Sequence, residues 1–282
     1  MPELPEVETI RRGLDRLIIS KKIVRVDVLS EKSFVGEVGR VIGRVVVDVS
    51  RRGKALIVVL DGGMNLMMHL RMTGQIIFAG REFFAAGHPN EEMLKLEPGR
   101  HTRIVVEFGD GSKLFFNDQR KFGFVKVMND EELLGDVFLR KLGPEPWDMN
   151  RGEFFKRLQR RRGTTIKAAI LDQSVIAGVG NIYADEGLYR AGIFPGRKVG
   201  EISLEEAIKL LAEICGVMEK SIESGGSTMR DYRKADGSKG DYLEKFAEVF
   251  GRDGEECRKC GGEILKTRVA GRGTHYCENC QK

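Results

Sequence analysis

No stretch of this chain stays apolar for anything near the roughly 20 residues that a membrane-crossing helix requires, so no membrane span is expected. The N-terminal residues lack the continuous apolar core of a secretory signal, and Glu3, Glu6 and Glu8 stand where that core would lie. Internal repeats and low-complexity tracts are missing as well. With no export signal, the expected location is the cytoplasm. Cysteine is scarce, with five residues in 282, and in that reducing compartment clustered cysteines serve as metal ligands rather than as disulfides.

The composition supports a folded chain of two domains, or of one domain with an appendage. Hydrophobic residues make up 41% and charged residues 32%, with a formal net charge of +5. That mild basic excess permits a polyanionic partner without demanding one. Val7, Ile10, Leu14, Leu17 and Ile18 recur at helical spacing and predict an amphipathic helix over 5–18. Short runs then predict strands at Val24–Val28, Val45–Val49, Leu56–Leu60, Asn65–Leu70, Ile104–Phe108, Leu114–Phe116 and Phe122–Met128, with Gly-rich turns between them. Many short strands with turn punctuation suggest a sandwich or barrel. The pattern breaks at Leu142–Trp147, where a linker is expected. The region beyond is helical. Its basic run Arg160-Arg161-Arg162 reads as a solvated face. Ser203 and Glu206 form a capping box ahead of the stripe Ala207, Ile208, Leu211, Ile214, Met218 and Ile222, and Gly225-Gly226 ends that helix. Cys215 falls on the stripe and is expected in the core.

The other four cysteines carry the strongest isolated signal. Cys257 and Cys260, then Cys277 and Cys280, form two knuckles on either side of a segment that fits a β-hairpin. Four thiolates fill a tetrahedral zinc shell and leave no place for water, so the site reads as structural; an iron centre and two redox pairs are the alternatives. Between the knuckles Gly271 and Gly273 flank Arg272, which puts that arginine at the expected hairpin tip. There it can fork onto a phosphate or serve as an ordinary surface arginine.

The N-terminus offers a different chemistry. Removal of Met1 would expose Pro2 as a secondary amine, and a terminal amine titrates near pH ~8. A neutral amine attacks carbonyl carbon as catalytic lysines do, and from a secondary amine the adduct is a cationic iminium. Glu3 is placed to move protons. Taken alone, Pro2, Pro5 and the acids read rather as an ordinary helix start; the rest of the chain reverses that.

The whole set resembles the formamidopyrimidine-DNA glycosylase family of base-excision repair. The residues that carry the resemblance are Pro2–Glu8, Arg51–Lys54, His69–Gly74, Asp118–Gly123, Leu142–Pro146, Gly178–Ala184, Ala191–Ile193 and the four cysteines, in that order. The resemblance implies an α+β multidomain fold: an N-terminal β-sandwich with a leading helix, a helical domain with a helix–two-turns–helix motif, and a C-terminal zinc-finger β-hairpin. The corresponding divisions are 1–135 for the catalytic sandwich, 136–149 for the linker, 150–250 for the helical domain and 251–282 for the finger. It implies excision of an oxidised purine from duplex DNA and cleavage of the strand, by a monomer that holds one structural zinc and no organic cofactor. Pro2 is then the nucleophile, Glu3 the general acid/base and Glu6 its support. Lys54, His69, Asn181 and Arg272 contact phosphate, and Lys167 lies near the damaged base. Met72, Arg120 and Phe122 fill the void left by the flipped base. Ser227, Thr228, Arg230 and Tyr232 belong to a loop that caps the lesion.

Residue by residue, simpler readings stand beside these. Asn181 would serve as a helix cap, His69 as a core or turn histidine, and Phe122 as a core aromatic. Gln119 stands where the family commonly has proline, Arg103 where histidine is frequent, and 81–99 matches little and is expected to be a variable loop. The competing functions are the sister endonucleases that prefer oxidised pyrimidines, a non-catalytic zinc-finger DNA-binding protein, and a lyase that uses a lysine. Leu4, the Met72/Arg120/Phe122 set and the long loop from Ser227 favour the purine class.

Overall fold

The computed structural model describes residues 1–87, 97–226 and 242–282. The chain divides into two compact units, the first built on Met1–Arg140 and the second on Lys141–Ser224 with the final segment to Lys282. In the first unit, helix α1 (Leu4–Ile18) precedes strands β1 (Ile23–Val28), β2 (Phe34–Val35), β3 (Val46–Arg52), β4 (Ala55–Leu60), β5 (Met64–His69), β6 (Gly74–Ala79), β7 (Phe83–Gly87), β8 (Thr102–Phe108), β9 (Lys113–Asp118) and β10 (Phe124–Asn129). Among the described residues these form two five-stranded sheets, ordered β1-β8-β9-β6-β7 and β2-β10-β5-β4-β3. All pairings are antiparallel except β2 with β10.

Alternate residues of both sheets supply one core. Ile76 and Phe78, Ile104 and Val106, Leu56 and Val58, and Leu66 and Met68 meet there with Val7, Ile10, Leu14 and Ile18 of α1. Period-two burial on the strands and a 3.6-residue stripe on the helix are what the apolar pattern requires. The expected sandwich with a leading helix is the fold found. Three strands differ from the sequence reading. β2 and β6 are not among the predicted strands, and β7 lies inside the stretch expected to be a variable loop. Phe84, Ala85 and Ala86 of β7 are all buried. Small residues carry almost no periodic apolar signal, so only pairing with β6 reveals this strand.

α1 is fixed to the sheet by charge as well as by apolar contact. Glu8 is nearly buried and accepts from Arg11, Arg12 (2.9 Å) and Arg51 of β3 (2.9 Å). Burial alone would raise its pKa, but the hydrogen bonds from Arg11, Arg51 and Arg12 outweigh that and hold it at about 2, against an ordinary 4.5. The Arg51 guanidinium also reaches the Gly53 carbonyl, so the same cluster braces the β3–β4 turn. Gly53 takes a positive φ of 55° there, which suits glycine.

In the second unit, α4 (Arg151–Gln159), α5 (Ile166–Leu171), α6 (Asn181–Ala191), α7 (Leu204–Glu223) and α8 (Tyr242–Phe246) precede the hairpin β11 (Ile264–Val269) and β12 (Arg272–Cys277); α2 (Asp130–Gly135) and α3 (Val137–Arg140) close the first unit. The capping box of α7 is present, with Ser203 accepting from the Glu206 amide at 3.1 Å and Glu206 from the Ser203 amide at 2.8 Å. Its buried face includes Leu210 and Val217 beyond the expected stripe, while Cys215 is only half-buried, not a core residue. Two turns over 172–180 join α5 to α6. Gln173 ties them together, accepting from the Gly178 amide and donating to the Val179 carbonyl. Glu186 of α6 is fully buried and accepts from the amides of Glu248, Val249 and Phe250 at 2.8–2.9 Å, anchoring the segment that leads to the hairpin.

The Glu8 cluster has a defined pH signature. A carboxylate whose folded pKa lies below its unfolded value adds stability above the unfolded pKa and loses it as pH falls through the folded one. Glu8→Gln should therefore cost about 1–3 kcal/mol at neutral pH. In urea titrations that difference should shrink as pH is lowered from 4.5 towards 2; a difference independent of pH would show that Glu8 acts by packing alone.

Candidate active site and nucleic-acid interface

The N-terminus is an enclosed corner. Pro2 is buried and Glu3 is 3% exposed. Glu3 caps α1, its carbonyl accepting from the Val7 amide at 3.1 Å. The Glu6 carboxylate accepts from the Glu3 amide at 2.8 Å, which fixes the backbone beside Pro2. The helix-start reading and the catalytic reading of these residues thus share one geometry.

Lys54 follows Gly53 in the β3–β4 turn and is 6% exposed. The register then sets His69 at the same end of the sheet, because Ala55 pairs with His69 across β4–β5 and Phe124 pairs with it across β10–β5. His69 Nδ1 accepts from the Arg71 amide at 3.0 Å, so the ring proton sits on Nε2. The ring stacks on Phe124 and meets Phe138 edge-on. Burial, with Arg71 and Lys54 nearby, lowers its pKa to about 3. His69 is therefore both a packed histidine and a neutral hydrogen-bond donor.

Two turns at this sheet end present the remaining residues of the first unit. The β5–β6 turn carries Met72, which is 40% exposed, and the β9–β10 turn carries Arg120 and Phe122, the latter 52% exposed. Phe122 was expected within a strand; β10 instead begins at Phe124, and the phenyl ring faces solvent. The Arg120 guanidinium lies 4.7 Å from the Phe122 ring centroid and 3.3 Å from the Met72 sulfur. The three side chains are thus gathered at one place.

In the second unit, Asn181 is the first residue of α6 and Gly180 is its N-cap, which corrects the capping expectation. The Asn181 side chain instead donates to the Gly273 carbonyl at 3.0 Å. Lys167 is fully buried. It donates to the same carbonyl at 3.1 Å and to the Thr274 hydroxyl at 2.8 Å, and pairs with Asp185 at 2.5 Å. Asp185 also accepts from the His275 amide. Both predicted residues therefore converge on the strand that carries Arg272. Arg272 is exposed but not at the tip; Ala270 and Gly271, at φ 52° and 72°, make the two-residue turn, and Arg272 opens β12. Such turns need positive φ at both positions. Ser227, Thr228, Arg230 and Tyr232 lie outside the described residues.

The sulfurs of Cys257, Cys260, Cys277 and Cys280 all lie within 4.8 Å of one another, with Cys257–Cys280 at 3.8 Å and Cys260–Cys277 at 3.4 Å. A tetrahedron with zinc–sulfur bonds of about 2.3 Å has edges of about 3.8 Å. Four thiol donors at that spacing fit zinc and leave no open position, so the site is structural. The Tyr189 hydroxyl lies 3.1 Å from Cys257 Sγ and orients it from α6.

Residues 1–125 match the formamidopyrimidine-DNA glycosylase N-terminal domain, 142–233 the formamidopyrimidine-DNA glycosylase H2TH domain, and 254–282 the zinc finger found in FPG and IleRS. Those modules in that order define a zinc-finger DNA glycosylase of DNA repair. Curated formamidopyrimidine-DNA glycosylases of Desulfitobacterium hafniense and Exiguobacterium sp. are 40% and 42% identical, with full coverage of both chains in each case. A mutant of the Lactococcus lactis FPG in complex with Fapy-dG-containing DNA superposes with a TM-score of 0.88 at 33% identity over 100% of both chains. The Thermus thermophilus protein does so at 0.86 and 37%, over 99% of this chain and 98% of that one. The chain belongs to the formamidopyrimidine-DNA glycosylase family.

Several residues that build these sites were not singled out from sequence: Glu8, Asp118 and Asp185. Each stands in or beside a quoted motif, yet a carboxylate on a helix or at a strand end gives no sign of its partner until the chain folds.

Structural zinc contributes its binding free energy to folding. Cys260→Ser should release the metal and weaken DNA binding while the strand-rich unit stays folded, as read by metal analysis, mobility shift and circular dichroism; full affinity in the zinc-free variant would contradict this. For His69, NMR titration should find a neutral Nε2–H ring down to about pH 3. Because its folded pKa is lowered, the native state should lose stability as pH falls below the ordinary 6.5 and be unaffected by His69 above it. Titration near 6.5 would count against the buried geometry.

Proposed function

We propose that this glycosylase excises oxidised purines such as 8-oxoguanine and formamidopyrimidines from duplex DNA, and cleaves the strand through a Schiff base on Pro2. The observation that carries this reading is the enclosed corner in which Pro2 and Glu3 are held by the hydrogen bond from the Glu3 amide to the Glu6 carboxylate at the start of α1. Removal of Met1 frees the Pro2 nitrogen. The damaged nucleotide leaves the stack, since C1′ is out of reach inside a duplex. Pro2 nitrogen bonds to C1′ as the C1′–base bond breaks, and the base departs with a proton. The amine proton passes to O4′ as the C1′–O4′ bond breaks and the sugar ring opens, giving an iminium. That cation acidifies C2′–H; loss of this proton expels the 3′-phosphate, loss of C4′–H then expels the 5′-phosphate, and water hydrolyses the iminium to free Pro2. Glu3 relays the protons. No organic cofactor is required, because the electron sink is built from the protein's own amine.

Lys54 of the first unit and Arg272 of the second supply positive charge to backbone phosphates, and His69 donates from its neutral Nε2–H. Asn181 and Lys167 hold Gly273, so their contribution includes placing Arg272. Met72, Arg120 and Phe122 enter the gap left by the extruded base, with Arg120 reading the orphaned partner. A monomer suffices for this work. The substrate is cellular DNA and the thiolates need a reducing compartment, so we assign the protein to the cytoplasm.

Borohydride reduction on a duplex carrying 8-oxoguanine opposite C should trap DNA on Pro2 nitrogen, as mapped by mass spectrometry. Retention of Met1 should abolish trapping. An adduct on Lys54 or Lys167 would point to a lysine-based lyase, and faster excision of thymine glycol than of 8-oxoguanine would assign the pyrimidine class.

A further inference from the structure

Met72 comes from one turn and Arg120 and Phe122 from another, with Arg120 lying 48 residues beyond Met72, yet the three touch. One buried carboxylate bonds to both turns. Asp118 ends β9 and is fully buried. Its Oδ1 accepts from the Thr73 hydroxyl of the β5–β6 turn and from the Arg120 amide at 3.1 Å, and its Oδ2 accepts from the Gly123 amide at 2.6 Å. The Thr73 oxygen in turn accepts from the Arg120 amide at 2.9 Å. Asp118 is itself held by its backbone, donating to the His101 carbonyl at 2.9 Å and accepting from the Arg103 side chain at 2.7 Å. Gly123 leaves room for this arrangement, because a Cβ there would sit 3.1 Å from Oδ2 and 2.8 Å from Phe116. Lys121, between the two wedge residues, takes a positive φ of 57°, a conformation the surrounding bonds must impose.

We propose that Asp118 is the positioning residue that joins the two turns and presets Met72, Arg120 and Phe122 before DNA arrives. The three groups facing the carboxylate all donate hydrogen bonds, so an acceptor-only side chain is required. An asparagine of the same shape would turn its NH2 group towards one of these donors and lose that bond. A wedge that is already assembled loses less conformational entropy on insertion than one that must be ordered by the DNA. The inference rests on the wedge role proposed above for the three residues.

The test compares single-turnover cleavage of 8-oxoguanine opposite C with cleavage of a duplex holding a pre-formed abasic site, for wild type, Asp118→Asn, Thr73→Val and Met72→Ala. Asp118→Asn should lose about tenfold or more on the paired lesion relative to the abasic site, as expected when a charge-assisted bond is broken. Thr73→Val should shift the ratio in the same direction by less, and it carries the comparison should the Asn variant fail to fold. A 2-aminopurine beside the lesion should report slower unstacking in the same order. Equal losses on both substrates, or a ratio unchanged from wild type, would overturn the positioning role. A wild type inactive on the lesion, or a Met72→Ala variant equally impaired on both substrates, would instead overturn the underlying wedge reading.

Discussion

The first unit depends on one ionic cluster. Glu8 sits one turn into α1 and gathers Arg11, Arg12 and Arg51, so the helix that begins just after Pro2 is bonded to the strand that leads into Lys54. Hydrophobic burial of Val7, Ile10 and Leu14 presses α1 onto the sheets but does not by itself set where along the sheet the helix begins. The bond from Arg51 does, because it has a direction and a length. A nearly buried carboxylate with three guanidinium donors is also the favourable case for an ion pair, with its lone pairs satisfied rather than stranded.

The same economy of parts recurs at each place where a functional side chain must be held. Buried polar groups that are fully bonded fix geometry more closely than apolar contact, because a half-satisfied network costs more than none. Glu6 fixes the backbone at Glu3, Asp118 ties two turns, and Lys167 with Asp185 secures the strand carrying Arg272. The finger needs this most. A two-stranded hairpin is marginal alone, so it relies on the four thiolates at one end and on Lys167, Asn181 and Asp185 at Gly273–His275 of β12.

Parts of the candidate site were legible before the fold. Pro2 with Glu3, the cysteine spacing, and the order of short motifs each carry a chemical reason that survives without coordinates. The capping box of α7 and the apolar stripe of α1 were legible because they obey local rules of spacing. Three details were not. Asn181 has the composition of a cap, but Gly180 holds that position, since the cap is decided by where the two-turn loop ends. Arg272 lies between glycines, but the register of β11 with β12 moves the turn to Ala270-Gly271. β7 has too little apolar contrast to be seen without its partner strand.

The sequence by itself determined which chemistry is available: a latent secondary amine beside a carboxyl, and four thiols at knuckle spacing. These follow from residue type and short-range spacing, which the covalent chain sets directly. Only the tertiary structure decided which residues meet. Thr73 reaches Asp118, Glu8 reaches Arg51 and Lys167 reaches Thr274 across separations of 45, 43 and 107 residues. Such contacts depend on strand register and helix placement, and those are set by the packing of the whole unit rather than by any local segment.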